Sequence, residues 1–229
     1  MQQPLSWLAL AGGFAPCQVP SMSFPTVLLD GYRRFRLGRL EAERARYRQL
    51  AEAGQKPRIM IIGCCDSRAA PETIFDAGPG ELFVLRNVAN LVPPYEPDGE
   101  YHGTSAALEF AVQALAVETV LVLGHGRCGG IQAALSPGAA SLSRGDFIGR
   151  WMSLAVRAAK ALEEQGGEQD RQTALERLSV RLSIDNLRTF PFVAERERIG
   201  RLALRGAWFD IASGELWILD PATGAYAQV

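Results

Sequence analysis

The sequence contains little cysteine, little histidine and no long apolar run. Of its 229 residues, four are cysteine and two are histidine. Four cysteines are too few for a disulfide scaffold of this length. With two histidines, a metal site would also need sulfur or oxygen ligands. No apolar run reaches the roughly 20 residues that a membrane span requires, so we expect no membrane protein.

An excess of one charge sign is also missing. The 24 Lys and Arg residues are balanced by 25 Asp and Glu residues, and the formal net charge is −1. This argues against a basic surface along the whole chain, which nucleic-acid binding would favour. Apolar residues make up 48% and charged residues 21%, values typical of a globular protein. The length predicts one sizeable α/β domain.

The N-terminal region is expected to differ from the rest of the chain. Residues 1–21 are predicted to be an extension or the result of a misassigned start, and residues 22–229 a single domain. The apolar stretch 5–16 has no preceding Lys or Arg, which an export signal would carry. We therefore expect a cytoplasmic protein. Residues 27–53 carry apolar residues among many arginines and predict a helical arm.

Apolar runs that alternate with helical patterns predict a mainly parallel β-sheet flanked by helices. Residues 105–117 carry apolar residues at helical spacing and lead directly into an apolar run. Helix followed by strand, repeated, implies crossover connections and parallel strands. Residues 207–211 and 215–219 predict a hairpin. The other predicted strands are 58–62, 82–86 and 119–123.

Two strand ends carry the residues on which the functional prediction depends. The first strand leads into IGCCDSR at 62–68, and the third leads into GHGRCGG at 124–130. Because the carboxyl ends of parallel strands lie at one edge of a sheet, we expect Cys64, His125 and Cys128 to come together. Two thiolates and an imidazole suit zinc. Three protein ligands leave a fourth position open, which is typical of a catalytic zinc.

Cys65 offers a possible fourth sulfur. Adjacent side chains on an extended strand point to opposite faces, so Cys64 and Cys65 are not expected to face one metal. The alternative without metal is a pair of buried thiols and one hydrogen-bonded histidine. A redox dithiol is disfavoured because Cys128 has no Cys-x-x-Cys partner. The two motifs together favour one Zn2+ ion per chain.

Five segments make the chain resemble the β-class carbonic anhydrases. They are CCDSR at 64–68, RNVANLVPPY at 86–95, GTSAALEFAV at 103–112, GHGRCGG at 124–130 and NLRTFPFV at 186–193. The resemblance extends over residues 25–222 and implies a mainly parallel α/β fold in a homodimer or homotetramer. It also implies a carbonate dehydratase, a lyase that reversibly hydrates CO2 to bicarbonate and a proton through zinc-bound hydroxide.

The resemblance also implies roles for Asp66 and Arg68. Asp66 is expected to accept a hydrogen bond from the zinc-bound water or hydroxide, while Arg68 holds Asp66. Pairing with Arg68 should keep Asp66 ionised. In some family members this Asp moves onto the zinc and closes the site, so Asp66 is also a conditional fourth ligand. The alternative is a structural salt bridge.

A substrate pocket follows from the same resemblance. Gln55 is expected to donate an amide hydrogen bond to CO2 or bicarbonate, and Phe83 and Val88 to form an apolar wall. Gly129 matches the glycine beside the second zinc thiolate. Phe110 stands in the pocket where many members carry Tyr, so a hydroxyl is lost there. The alternatives are core packing for Phe83 and Val88 and simple exposure for Gln55.

Two other functions remain open. A hydrolase of carbonyl sulfide or carbon disulfide would use the same fold, because the same zinc-bound hydroxide could attack those carbons. A noncatalytic, zinc-binding regulatory module would retain the fold without the reaction. Gln55 favours CO2 over the sulfur analogues. The Asp66–Arg68 pair argues against the regulatory module, because a structural zinc needs neither residue.

Overall fold

The computed structural model describes residues 24–97, 102–135, 142–164 and 170–229. The predicted extension 1–21 lies outside these residues. The helices of the described ranges are α1 (Thr26–Leu37), α2 (Arg39–Ala53), α3 (Pro71–Ile74), α4 (Gly103–Glu109), α5 (Gly129–Ala134), α6 (Phe147–Glu164), α7 (Arg171–Arg188) and α8 (Pro191–Arg198). The strands are β1 (Ile59–Cys64), β2 (Leu82–Asn87), β3 (Thr119–His125), β4 (Ala203–Phe209), β5 (Leu216–Leu219) and β6 (Tyr226–Gln228). None of the described helices is long and apolar enough to cross a membrane.

These strands form one sheet in the order β2-β1-β3-β4-β5-β6. The pairs β2–β1, β1–β3 and β3–β4 are parallel, whereas β4–β5 and β5–β6 are antiparallel. The prediction of a mainly parallel sheet flanked by helices is confirmed. Because β1 and β3 are neighbours, their carboxyl ends lie side by side at one edge of the sheet.

Both central strands extend further than their apolar runs indicate. The prediction for β1 ends at residue 62, whereas pairing with β2 continues to Cys64. The prediction for β3 ends at residue 123, whereas pairing with β4 continues to His125. A glycine near the end of each strand interrupts the apolar pattern but not the hydrogen bonds. Cys64 and His125 are therefore held by the sheet itself rather than by the loops that follow it.

The central strands are buried on both faces, as is usual for a parallel sheet covered by helices. Met60, Ile62 and Val122 belong to one hydrophobic core cluster. Ile61 and Leu123 belong to a separate cluster. This division follows the two-residue alternation of side chains along a strand. Burial of both faces fixes the register of β1 against β3, and thus the relative position of their carboxyl ends.

The C-terminal hairpin is confirmed. β4 and β5 pair antiparallel, with Ala207 opposite Ile218. β4 begins at Ala203, earlier than the predicted residue 207, because residues 203–206 already pair with β3. β6 was not expected from the sequence; it is three residues long.

The helix predicted over 105–117 is interrupted. α4 ends at Glu109 and continues as one π-helical turn, Phe110–Ala114. The Leu115 N–H donates to the carbonyl of Phe110 at 3.0 Å, which is the i to i+5 bond of a π-turn. The wider turn begins at Phe110, whose side chain is half exposed.

The predicted helical arm is present as two helices rather than one. The break falls at Gly38, whose N–H still donates to the carbonyl of Arg34. The described contacts divide the chain between Tyr47 and Arg48 into two compact units. Within the first unit, the rings of Phe35 and Tyr47 meet edge to face with centroids 5.9 Å apart. Neither α1 nor α2 buries a residue in the described chain.

Candidate metal centre

Three side chains converge at the carboxyl edge of the sheet. The Sγ atoms of Cys64 and Cys128 and a ring nitrogen of His125 all lie within 4.8 Å of one another. Cys64 is the last residue of β1, His125 is the last residue of β3, and Cys128 precedes α5. All three are buried. Cys65 is exposed, and its backbone N–H pairs with the carbonyl of Asn87.

The imidazole of His125 is oriented by its own chain. Its Nδ1 lies 2.9 Å from the carbonyl oxygen of Gly126, an acceptor, so Nδ1 carries the proton. Nε2 is then left with a lone pair. It is buried and has no hydrogen-bond partner among the described residues. A buried acceptor without a partner is costly, and a carbonyl that fixes the tautomer in this way is typical of a metal-binding histidine.

The sulfur of Cys64 is surrounded by hydrogen-bond donors. The backbone N–H groups of Asp66 and Ala89 each donate to Sγ at 3.4 Å. A hydrogen bond from Cys128, with those from the two backbone amides, lowers the pKa of Cys64 well below its ordinary value, against the opposing effect of burial. Ala89 holds its donor there from the left-handed region, with φ 63°, a conformation that non-glycine residues rarely adopt.

The second thiol is affected in the opposite direction. The hydrogen bond and charge of Cys64, together with burial, raise the pKa of Cys128 well above its ordinary value. Without a cation between the sulfurs, the ionised Cys64 therefore makes ionisation of Cys128 less favourable. A dication between the sulfurs would stabilise both, because metal ligands bind deprotonated. Two thiolates and an imidazole nitrogen match the ligand set that Zn2+ prefers.

Asp66 and Arg68 form a fork beside the cluster. Arg68 Nε donates to Asp66 Oδ1 at 2.9 Å, and Arg68 Nη2 donates to Oδ2 at 2.7 Å. The Arg68 backbone N–H adds a bond of 3.0 Å to Oδ1. These bonds hold the pKa of Asp66 well below its usual range. Both carboxylate oxygens are thus held by Arg68, which also donates to the Arg127 carbonyl at 3.2 Å.

Arg86 positions the main chain that carries Cys64 and Asp66. Its Nε donates to the carbonyl of Cys64 at 2.8 Å, and its Nη2 donates to the carbonyl of Asp66 at 2.7 Å. The side chain therefore fixes the backbone on both sides of Cys65. Arg86 can reach both carbonyls because it lies near the end of β2, directly opposite Gly63 of β1.

Glu176 is a residue of this site that the sequence did not lead us to expect. It lies on α7, is 1% exposed, and accepts a hydrogen bond of 2.8 Å from the Cys128 backbone N–H. A glutamate in an amphipathic helix normally faces solvent. The spacing of α7 did offer a signal, because Glu176 lies four residues before Val180 and eight before Ile184, on the buried face of the helix.

The predicted pocket residues lie on several elements of the second compact unit, which begins at Arg48. Phe83 of β2 and Phe110 form a tilted aromatic pair with centroids 5.9 Å apart. Phe110 and Val88 are 50% and 37% exposed, so both present apolar surface. Gly129 is exposed at the start of α5, and Gln55 is exposed on the segment between α2 and β1.

The two glycines after Cys128 offer a matched pair of substitutions. At Gly130 a Cβ would lie 2.9 Å from Val88 Cγ1 and 3.0 Å from Ala89 Cβ. Neither of these atoms is the far end of a flexible side chain. Gly130→Ala is therefore expected to lower the free energy of unfolding by about 1–3 kcal/mol, as overpacking does. Urea denaturation of the purified variant measures this.

Gly129→Ala is the control for this prediction. A Cβ at Gly129 would meet nothing within 4 Å, so stability should stay within about 0.5 kcal/mol of wild type. If Gly129 faces the substrate, its variant changes kcat/KM without changing stability. Equal destabilisation by both variants would contradict the close approach of Gly130 to Val88 and Ala89.

Comparisons with known proteins agree on one family. The family model described as "Carbonic anhydrase" matches residues 59–216. Beta carbonic anhydrase 3 of Arabidopsis thaliana is 34% identical over 205 residues, which are 86% of this chain and 79% of that protein. The structure of the beta-carbonic anhydrase CcaA matches with a TM-score of 0.81 at 28% identity, over 89% of this chain and 91% of that one. The structures of two tetrameric beta-carbonic anhydrases from Sordaria macrospora include a chain with TM-score 0.72 and 29% identity, over 88% of this chain and 98% of its own.

Proposed function

The chain belongs to the β-class carbonic anhydrases, enzymes that reversibly hydrate CO2 to bicarbonate and a proton, and from this premise we propose that Cys64, His125 and Cys128 hold one catalytic Zn2+ ion. The observation that carries the proposal is the convergence of two sulfurs and an imidazole within 4.8 Å. The unpartnered Nε2 of His125 supports it. When bound, zinc supplies a Lewis acid that lowers the pKa of water enough to provide hydroxide near neutral pH.

Asp66 and Arg68 are proposed to orient the attacking water. An ionised carboxylate only accepts hydrogen bonds, so Asp66 can fix the direction of a water O–H and leave its lone pair toward CO2. Arg68 holds Asp66 through two side-chain bonds. With both oxygens so held, the carboxylate stays ionised and in place.

The pocket is proposed to bind CO2 through apolar contacts and one amide hydrogen bond. CO2 is weakly polar, so the exposed apolar surfaces of Val88 and Phe110, with Phe83 behind Phe110, suit it. Gln55 is proposed to donate its amide N–H to an oxygen of CO2 or bicarbonate, and Gly129 is proposed to face the substrate. Phe110 contributes no hydroxyl to this pocket.

A homodimer or homotetramer is proposed as the working assembly. The Sordaria macrospora neighbours are described as tetrameric. The arm helix α1 exposes apolar side chains, with Val27 at 71% and Leu37 at 82%. Light scattering on the purified protein distinguishes a dimer or tetramer from a monomer. The cytoplasmic location stays a prediction.

Metal removal tests the proposed function. The purified protein is expected to carry close to one zinc per chain and to hydrate CO2 rapidly in a stopped-flow assay. Dialysis against a chelator should abolish the activity, because the attacking hydroxide is then no longer available near neutral pH. Stoichiometric Zn2+ should restore it.

The outcome also separates the alternatives. Stoichiometric zinc without CO2 hydration would overturn the proposal. The same preparation would then be assayed with carbonyl sulfide and carbon disulfide. Turnover of either would favour the hydrolase, and turnover of neither would favour a regulatory module.

A further inference from the structure

A buried carboxylate, that of Glu176, lies next to the cluster of Cys64, His125 and Cys128. In the described part of the chain, Glu176 is the one acidic side chain that is buried. Placing a carboxylate in the interior is costly unless hydrogen bonds compensate. One of the hydrogen bonds that compensate for the burial of Glu176 comes from Cys128, a proposed zinc ligand.

All the described partners of Glu176 are hydrogen-bond donors. Oε1 accepts from the Cys128 backbone N–H at 2.8 Å and from Gln172 Nε2 at 3.0 Å. Oε2 accepts from Trp208 Nε1 at 3.2 Å. Burial raises the pKa of the Glu176 carboxyl, and these three bonds oppose that effect. An environment made only of donors is satisfied best by a carboxylate.

The network holds both backbone polar groups of Cys128. Glu176 takes the backbone N–H of Cys128, and Gln172 Nε2 lies 3.4 Å from its carbonyl oxygen. The chain turns sharply here, since Arg127 adopts a left-handed φ of 55°. A non-glycine residue in that region is strained and persists when surrounding contacts fix it. The contacts from α7 supply that constraint.

Glycine at position 124 lets α7 come close enough to do this. A Cβ there would lie 2.7 Å from Val180 Cγ2 and 3.6 Å from the carbonyl oxygen of Glu176. Gly124 stands directly before His125 on β3 and pairs with Trp208 of β4. The helix is thus packed against the strand at the point where the ligands leave the sheet.

We propose that Glu176 is a positioning residue that fixes the main chain of Cys128, and through it the position of Sγ, for metal binding. This inference rests on the proposed zinc site. Gln172 assists by holding Glu176 and the Cys128 carbonyl. Trp208 holds the other carboxylate oxygen, so the carboxylate cannot rotate away from Cys128.

Glu176→Gln is the main test, because it retains the shape of the side chain. One oxygen becomes an NH2 group, which can only donate and faces donors on every described side. The expected result is a 10–100-fold increase in the dissociation constant for Zn2+, the usual cost of losing a group that holds a metal ligand. Competition with a chelator of known affinity measures this constant.

Two further readouts separate positioning from a general effect on stability. Circular dichroism and thermal melting of the zinc-free proteins report folding alone. The thiolate–Co2+ absorption of the cobalt-loaded proteins reports whether both sulfurs bind. Positioning predicts that zinc binding weakens by more than the loss of zinc-free stability accounts for, and that the thiolate absorption changes. Asp185→Asn is the control, an equal neutralisation at an exposed site on the same helix.

A second variant keeps the test decisive if Glu176→Gln fails to fold. Gln172→Leu removes the bonds to Glu176 and to the Cys128 carbonyl at a less buried position. It should weaken zinc binding in the same direction. Unchanged zinc affinity in the folded variants, with wild type binding zinc normally, would overturn this inference alone. Absence of zinc binding by the wild type would instead overturn the proposed function.

Discussion

Replacing Cys128 with alanine is expected to abolish CO2 hydration by removing zinc from the protein. Cys128 supplies one of the two sulfurs within the 4.8 Å cluster. Four-ligand structural zinc sites bind with about 10–16 kcal/mol, so one thiolate contributes roughly 3 kcal/mol and its loss weakens binding about a hundredfold or more. Metal analysis after dialysis and stopped-flow hydration of the same sample measure both effects.

Cys65→Ala is the matched control for this prediction. Cys65 carries the same functional group beside Cys64, but it is exposed and lies outside the cluster. The variant should retain zinc and activity close to wild type. Loss of zinc from Cys65→Ala but not from Cys128→Ala would mean that the wrong pair of sulfurs had been assigned.

The cluster could be predicted from the sequence because two simple patterns combine there. Apolar runs located the central strands, and the helix between them indicated parallel pairing. Parallel strands then place their carboxyl ends together, which brings Cys64 near His125. The sequence did not indicate that both residues are part of the strands, since a glycine near each end interrupts the apolar run.

The residues that support the cluster could not be predicted in the same way. Arg86 and Glu176 act through bonds to backbone atoms of residues 22 and 48 positions away. Such contacts depend on how closely elements pack, and side-chain type alone does not indicate this. Burial of Glu176 in particular contradicts the usual pattern of an amphipathic helix.

Two departures from the predicted helices have local causes. The arm breaks at Gly38, where the backbone leaves the helical region with φ −113° and ψ −89°, a conformation that glycine adopts more easily than other residues. The helix predicted over 105–117 contains a π-turn at Phe110–Ala114. A π-turn changes which side chains share a face without changing the apolar composition, so periodicity predicts a continuous helix. Phe110, a predicted pocket residue, is the first residue of this turn.

Asp66→Asn is expected to reduce kcat for CO2 hydration by about a hundredfold or more while zinc remains bound. A positioned group that contacts the reacting water contributes on this scale. The amide has the same shape but carries no charge, and its NH2 group cannot accept the bonds from Arg68. Stopped-flow hydration with zinc content measured on the same sample tests this. Glu118→Gln, which loses an exposed ion pair with Arg58 near the amino ends of β1 and β3, is the control.

Variants of Arg68 distinguish the two roles of Asp66. Arg68→Lys keeps the charge but cannot form the two-pronged contact with the carboxylate, so kcat should fall while zinc content is unchanged. Arg68→Ala removes both side-chain bonds to Asp66 and leaves only the bond from the backbone N–H of residue 68. The less restrained carboxylate beside the cluster can then become a fourth ligand. The thiolate–Co2+ spectrum of Arg68→Ala should change if Asp66 binds the metal, and the double variant Arg68→Ala/Asp66→Asn should reverse the change. If Asp66→Asn alone lost zinc, Asp66 would already be a ligand in the wild type, and its proposed role in orienting water would be wrong.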